Sequence, residues 1–136
     1  MATPAKRPFE LVGTDGRPIV TGGALVLLRS AADDRVRALV TWGAIPVLGD
    51  TADGHDILTG AHAVCAPWLS VQGATDDALS PQDARALQPV GNESARFLLV
   101  DGANHTFGAQ HPWVGSNPRL EQAVRASIDW FGRHLL

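Results

Sequence analysis

The sequence predicts an α/β domain, in which a parallel sheet of roughly three strands is flanked by helices and preceded by a short N-terminal hairpin. Three apolar stretches rich in β-branched residues, 36–45, 67–73 and 95–102, have the composition and length of buried strands. Helical patterns separate these stretches, and a longer one ends the chain. Strands that alternate with helices of about 10 to 15 residues are typical of βαβ units, whose strands run parallel.

The N-terminal part begins with residues 1–8, which contain two prolines and are expected to form a flexible arm. Residues 9–12 have the pattern of a short strand, and residues 17–20 return as a second one, which predicts a small hairpin. A helix follows Gly22-Gly23. Because this helix is apolar on nearly every side as far as Arg29, we expect it to be buried.

The middle of the chain holds the first two strands of the sheet. The strand at 36–45 ends at Gly43 and is expected to be buried on both faces. A short helix at 56–64 leads to the strand at 67–73. The next helix is predicted to start at Ser80, where a hydroxyl at the N-cap precedes a proline and an acidic residue.

The final helix is predicted to start at Asn117-Pro118, after the strand at 95–102. Its apolar residues recur on one face at helical spacing: Leu120, Val124, Ile128, Phe131 and Leu135. This spacing is typical of an amphipathic helix.

The composition is that of a folded protein, because apolar residues make up 45% of the 136 residues and charged residues 18%. We assign residues 9–136 to a single domain. The net charge of −3 gives no electrostatic reason to expect a nucleic acid or an anionic membrane as partner. A single cysteine, Cys65, favours a reducing compartment. Since no signal peptide and no apolar run of roughly 18 residues is present, we expect a soluble, cytoplasmic protein.

The candidate functional residues follow the second and third predicted strands. Functional side chains in open parallel sheets collect just beyond the carboxyl ends of the strands. The turn after the second strand contributes Asp76, and the turn after the third contributes His105 and His111. Because neighbouring strands lie about 5 Å apart, the acid and a histidine can meet there. The carboxylate would fix the tautomer of the ring, so that His105 could act as a general base.

The stretch from Asp56 to Leu136 resembles the C-terminal half of a dienelactone-hydrolase-like α/β-hydrolase. In that family the acid of the catalytic triad sits in a G-x-x-D turn after the penultimate strand, and the histidine in a G-x-x-H-x-F turn after the last. The resemblance places the acid at Asp76, in preference to the neighbouring Asp77, and the base at His105. It implies that Asp76 and His105 are the catalytic pair.

The serine nucleophile is missing from this resemblance. The helix after Gly22-Gly23 resembles the one that follows the family's nucleophile elbow, G-x-S-x-G-G, but Pro18 occupies the place of the first glycine and Val20 that of the serine. A valine cannot attack a carbonyl carbon. The strands, helices and oxyanion-hole loop that precede the elbow in the family are also missing, so the sequence resembles a truncated α/β-hydrolase.

A metal-bound water is one replacement for the serine. Imidazole and carboxylate groups are ligands of Zn²⁺ and Mn²⁺, and His55 and His62 flank the helix that leads to the strand carrying Asp76. If the protein is metal-dependent, the predicted ligands are Asp76, His105, His55 and His62. The histidine spacings match no recognised zinc motif, and a serine-type mechanism would need no cofactor.

Three functions stay open at this point. The leading one is hydrolysis of activated carboxylic or phosphoric esters, as an esterase or a metal-dependent phosphoesterase such as a phosphotriesterase, with water activated by His105 and Asp76 directly or through a metal. The second is a catalytically inactive remnant that serves as a binding or interaction module. The third is a serine-type esterase with a replaced nucleophile.

A small-molecule ester would be the partner of the leading function, with His111 and Trp113 lining its pocket. A second copy of the chain is also expected. Because a sheet cut from a larger one leaves an unpaired edge and uncovered apolar faces, the sequence predicts a homodimer.

Overall fold

The computed structural model describes residues 22–44, 61–78, 82, 85 and 92–136. In chain order these residues form α1 (Gly22–Ala32), β1 (Leu39–Trp42), β2 (Trp68–Gly73), β3 (Ala95–Val100) and α2 (Pro118–Leu135). Residues 82 and 85 are helical, in agreement with the helix predicted to start at Ser80. The predicted arm, the hairpin and most of the helix at 56–64 lie outside the described residues. No helix within the described ranges combines the length and the apolarity needed to span a membrane.

The three strands form one parallel sheet in the order β1-β2-β3, which confirms the predicted α/β class. Leu39 of β1 lies opposite Trp68 of β2, and Trp68 in turn lies opposite Ala95 of β3. All three strands therefore start at one edge of the sheet. Their carboxyl ends meet at the other edge, where Gly73 lies opposite Val100.

The central strand β2 is buried along its whole length and separates two apolar clusters. On the α1 side, Trp68 packs with residues of α1, β1 and the segment before β2: Leu27, Leu39, Ala44, Ala61 and Val64. On the α2 side, Leu69 and Val71 pack with residues that follow β3 and with α2: Val100, Ala103, Phe107, Ala123 and Trp130. Because side chains alternate along a strand, one buried strand supports both layers of the fold.

Helix α1 is buried on one side only, so the prediction that it is buried all round is wrong. Leu27 is inaccessible to solvent, whereas the adjacent Val26 is 43% exposed. An apolar helix sequence shows that burial is affordable on any face, but the number of layers packed around the helix decides how many faces are covered. Here the described sheet covers one.

Strand β1 differs from its prediction in a similar way. Leu39 and Thr41 are buried on the α1 side, and the hydroxyl of Thr41 accepts a hydrogen bond from Nε1 of Trp68 (3.0 Å). On the other face Val40 is half-buried and Trp42 is 38% exposed. Nε1 of Trp42 donates to the hydroxyl of Ser127 (2.9 Å), which ties the end of β1 to α2.

Helix α2 begins as predicted but turns an unexpected face to the sheet. The side chain of Asn117 caps it by accepting from the backbone amides of Arg119 and Leu120. The helix buries Ala123 and Trp130. The apolar residues at helical spacing are instead largely exposed: Val124, Ile128, Phe131 and Leu135. Helix α2 therefore carries an apolar stripe on its outer side.

Two neighbouring residues of α1 test its orientation. Leu27→Ala should lower the free energy of unfolding by about 2–5 kcal/mol, because it leaves a cavity in the cluster around Trp68. Val26→Ala should change it by less than about 1 kcal/mol, because Val26 is largely in solvent. Urea unfolding of the two variants measures both values; equal losses would contradict the described orientation of α1.

Candidate functional site

The candidate site lies beyond the carboxyl ends of β2 and β3, where backbone pairing continues past the strands. The amide of Ala74 donates to the carbonyl of Val100 (2.9 Å), and the amide of Thr75 donates to the carbonyl of Ala103 (2.9 Å). The hydroxyl of Thr75 donates to the same carbonyl (3.0 Å). These bonds hold the two turns side by side, so that the residue after each pairing point has a fixed neighbour.

Gly73 makes the close approach of the two turns feasible. A Cβ atom at this position would lie 2.4 Å from the carbonyl oxygen of Ala103 and 2.6 Å from that of Asn104. Both contacts are to backbone, which cannot rotate away. The glycine of the G-x-x-D turn is therefore required by the passage of the histidine turn directly across the end of β2.

Asp76 and His105 meet at this edge of the sheet. Oδ2 of Asp76 lies 2.9 Å from Nδ1 of His105. The other carboxylate oxygen, Oδ1, accepts a hydrogen bond from the backbone amide of Ala78 (2.8 Å). The Asp76 side chain is only 2% exposed and that of His105 is 39% exposed. A buried acid thus lies behind a histidine that solvent can reach.

The third strand end, that of β1, supplies Gly43 to the same place. Gly43 has φ of +59°, and its amide donates to the carbonyl of Val71 (2.9 Å). A Cβ atom on Gly43 would lie 2.9 Å from Cε1 and 3.2 Å from Nδ1 of His105. The imidazole therefore rests against bare backbone, and the ends of all three strands contribute to one site.

The histidine turn is held from the α2 side as well. Oδ1 of Asn104 accepts from the amide of Gly108 (2.9 Å), which closes the turn on itself. Phe107 is buried with φ of +55° and packs against Trp42 at 5.4 Å between ring centroids. Nδ2 of Asn117 donates to the carbonyl of Phe107 (3.1 Å). The residue that caps α2 thus also fixes the turn that carries His105.

This arrangement determines what the imidazole can do. A carboxylate accepts hydrogen bonds only, so Nδ1 must carry the proton that Asp76 receives. In a neutral ring Nε2 then has a free lone pair, and within the described residues it makes no hydrogen bond. Asp76 also stabilises the imidazolium that forms when Nε2 takes a proton. The pair therefore has the chemistry of an oriented general base.

The predicted metal ligands are not all brought to this pair. Ala61 and Val64 pack with Leu39 and Trp68, the first residues of their strands, so that His62 lies at the opposite edge of the sheet. The inclusion of His62 among the ligands is therefore wrong, because the helix that carries it lies at the amino ends of the strands. His55 lies outside the described residues. Among the residues that are described, no group of three or more histidine, cysteine, aspartate or glutamate side chains could hold a metal ion.

The two predicted pocket residues are on the surface. Trp113 is 63% exposed, and His111 is exposed too. Both follow the histidine turn along the chain, in the segment between His105 and α2. Their role in lining a pocket stays a prediction.

Sequence reasoning missed Gly43 and Asn117 as parts of the site. Gly43 was interpreted only as the end of a strand and Asn117 only as the start of a helix. A glycine directly after a buried parallel strand, at the edge where functional residues collect, is a signal that could have indicated the first. No sequence signal indicates the bond of Asn117 to Phe107, since it depends on how α2 docks.

Comparison with solved structures identifies the same fold in several hydrolases. A protein assigned as a dienelactone hydrolase from Klebsiella pneumoniae subsp. pneumoniae matches with a TM-score of 0.70 and 20% identity, over 83% of this chain and 49% of that one. An esterase domain from Rhodothermus marinus matches with a TM-score of 0.63 and 18% identity, over 83% and 58%. A zinc-bound cold-adapted esterase from an Arctic intertidal metagenomic library matches with a TM-score of 0.59 and 18% identity, over 81% and 44%.

No protein-family model matches the chain, and no curated protein sequence matches it at a significant level. The structural likeness confirms the predicted fold: the parallel sheet with its flanking helices is an α/β-hydrolase-like fold. The chain spans about half the length of the solved structures it matches. It therefore has a truncated version of that fold.

The close approach at Gly73 can be tested with two glycine variants. Gly73→Ala should destabilise the fold by about 2 kcal/mol or more, because the new methyl group meets two backbone carbonyls. Gly132→Ala is the matched control, since Gly132 lies within α2 and a Cβ there meets nothing within 4 Å. That variant should be more stable than the parent by about 0.5–1 kcal/mol. Thermal unfolding separates the two, and a Gly73→Ala protein as stable as the parent would contradict the described turn.

Proposed function

We propose that the protein hydrolyses activated ester bonds, with a water molecule activated directly by His105 and Asp76. The observation that carries the proposal is the 2.9 Å contact between Nδ1 of His105 and the buried carboxylate of Asp76. This contact leaves Nε2 as the proton acceptor on the accessible side of the ring. Two neighbouring turns are held together by backbone bonds at the place where the pair forms, which keeps the geometry fixed before a substrate arrives.

The proposed reaction has two proton transfers. Water attacks the carbonyl carbon while one of its protons passes to Nε2 of His105, and a tetrahedral intermediate forms. The intermediate collapses by breaking the bond to the leaving oxygen, and His105 returns its proton to that oxygen. The products are a carboxylic acid and an alcohol or phenol. The same sequence at phosphorus would cleave a phosphoric ester.

The absence of a serine at Val20 restricts the substrate to activated esters. Water is a weaker nucleophile than an activated side chain held in place, so the leaving group must be a good one. Aryl esters, whose phenolate leaves readily, fit this requirement. Val20 itself lies outside the described residues, so the argument rests on its chemistry alone.

A divalent metal is not needed for this proposal. Among the described residues Asp76 and His105 supply two ligands, whereas a catalytic zinc site uses three protein ligands. The described donor set therefore does not fit a metal centre, and no step is routed through one. The zinc-bound esterase shows that a protein of this fold can carry zinc, without showing where.

The solved structures support the proposal at the level of fold. Their descriptions name a dienelactone hydrolase and esterases, which act on ester bonds. Fold alone does not define function, so the proposal rests on the acid–histidine pair. The structural likeness adds that this pair lies on a scaffold that other proteins use for ester hydrolysis.

Substitution of the two proposed catalytic residues should abolish most of the activity. His105→Gln and Asp76→Asn should each lower kcat/KM for an aryl ester by about 10²–10⁴-fold, because each removes general base catalysis. Asp77→Asn is the matched control, since Asp77 is the exposed neighbour of Asp76. It should retain activity within about threefold of the parent.

Two outcomes would contradict the proposal. Equal losses in the Asp76→Asn and Asp77→Asn variants would show that the effect is one of surface charge. No turnover of aryl esters or phosphotriesters by the folded parent would favour the inactive interaction module. Covalent labelling by a serine-directed phosphonate would support the serine-type esterase instead.

Metal removal tests the direct activation of water. Dialysis against a chelator should leave the rate of aryl ester hydrolysis unchanged, because no described step depends on a metal. Addition of Zn²⁺ or Mn²⁺ should not increase the rate. Loss of activity with the chelator and its recovery with Zn²⁺ would establish a metal site that includes residues outside the described ranges.

A further inference from the structure

Strand β1 is an edge strand of the described sheet, and its outward-facing backbone groups can be identified. The amide of Leu39 donates to the carbonyl of Pro67 (2.8 Å), and that of Gly43 donates to Val71 (2.9 Å), both on the β2 side. Because backbone groups alternate along a strand, the amides and carbonyls of Val40 and Trp42 point the other way. Among the described strands, none pairs with this outer edge.

The outer edge of β1 lies in a cleft of about 410 Å³ that is bounded by both helices. Val26 of α1 lines one side, and Ser127 and Phe131 of α2 line the other. Val40, Thr41 and Trp42 form the part contributed by β1 itself. The cleft therefore has the form expected of a groove for one more strand, with an apolar wall on each face of the sheet.

The cleft continues into the apolar stripe on α2. Phe131 belongs to both, and from it the stripe extends along the helix through Val124, Ile128 and Leu135, which are 38%, 63% and 42% exposed. Together with Val26 and Trp42 these side chains form an exposed apolar surface on the order of several hundred Å², the size that marks interaction sites in soluble proteins. We call this surface the β1 groove.

The chemistry of the β1 groove limits its occupant. None of the residues that line the cleft is charged, so it offers nothing to a nucleic acid or to an acidic or basic peptide. Edge strands are commonly protected by a charged residue or a proline, and β1, with the sequence LVTW, has neither. The occupant is therefore an uncharged strand with an apolar surface beside it.

We propose that the occupant is a second copy of this chain, whose own β1 pairs antiparallel with the first across a two-fold axis. Such an interface needs a surface that is complementary to itself, and β1 meets this condition. Val40 of one copy would exchange two backbone hydrogen bonds with Trp42 of the other, and the reverse, with Thr41 on the axis. The two described sheets would then form one sheet of six strands.

The apolar walls supply the rest of the interface. Two residues of β1 give only four backbone hydrogen bonds between copies, which is too few for a stable dimer without apolar burial. Val26 of each copy would lie over the partner strand on one face. Phe131 and Ile128 would do so on the other. This pairing joins the two features that the fold leaves uncovered, the strand edge and the outer face of α2.

Three lysine variants test the proposal by sedimentation equilibrium. The parent chain should be a dimer at micromolar concentration. Val26→Lys and Ile128→Lys should each weaken self-association by about tenfold or more, because the two-fold axis doubles the buried charge. Leu99→Lys is the matched control: Leu99 is 43% exposed, as Val26 is, but lies on β3 at the opposite edge of the sheet. It should leave association unchanged.

Amide hydrogen exchange in the parent provides a second measurement that does not depend on a variant. The amides of Val40 and Trp42 should exchange more slowly as the protein concentration rises, while Leu39, bonded to Pro67 within one chain, should show little change. A parent chain that stays monomeric up to submillimolar concentration would overturn the proposal. So would a dimer that Leu99→Lys dissociates and Val26→Lys does not.

Discussion

The register between β2 and β3 is the constraint on which the rest of the site depends. Gly73 lies opposite Val100, so the turns that follow leave the sheet at the same height, and the Thr75 amide can reach the carbonyl of Ala103. A shift of one residue would turn the buried side chains of β2 to the opposite faces and separate the two turns. Burial of β2 on both faces therefore fixes the position of Asp76 relative to His105.

The site is built on backbone more than on side chains. Gly73 lets one turn cross the end of β2, and Gly43 lets the imidazole lie against the end of β1. Side chains do not fit at either place, so the three strand ends come closer together than ordinary residues would permit. The carboxylate of Asp76 is enclosed as a result, while the outer nitrogen of His105 faces solvent. This asymmetry between a buried acid and an accessible base gives the pair its proposed role.

The sequence predicted the parallel sheet and the strand ends well, because both are encoded locally. Apolar runs bounded by turns determine the strands, and Asp76 and His105 follow two such runs at similar distances. The side that an apolar residue faces was harder to predict. Helical spacing places Val124 and Ile128 on one side of α2, but whether this side meets the sheet depends on where α2 docks. The position of His62 failed for the same reason, since it depends on which end of the strands its helix adjoins.

The protonation of the His105 ring tests the account most directly. In a two-dimensional nitrogen–proton spectrum of the neutral ring, the account predicts a proton on Nδ1, held by Asp76, and a bare Nε2. Asp76→Asn should change this tautomer or broaden the Nδ1 proton signal, whereas Asp77→Asn should leave the spectrum as it is. A ring protonated on Nε2 in the parent, and insensitive to Asp76→Asn, would contradict the central claim that a buried carboxylate orients this histidine.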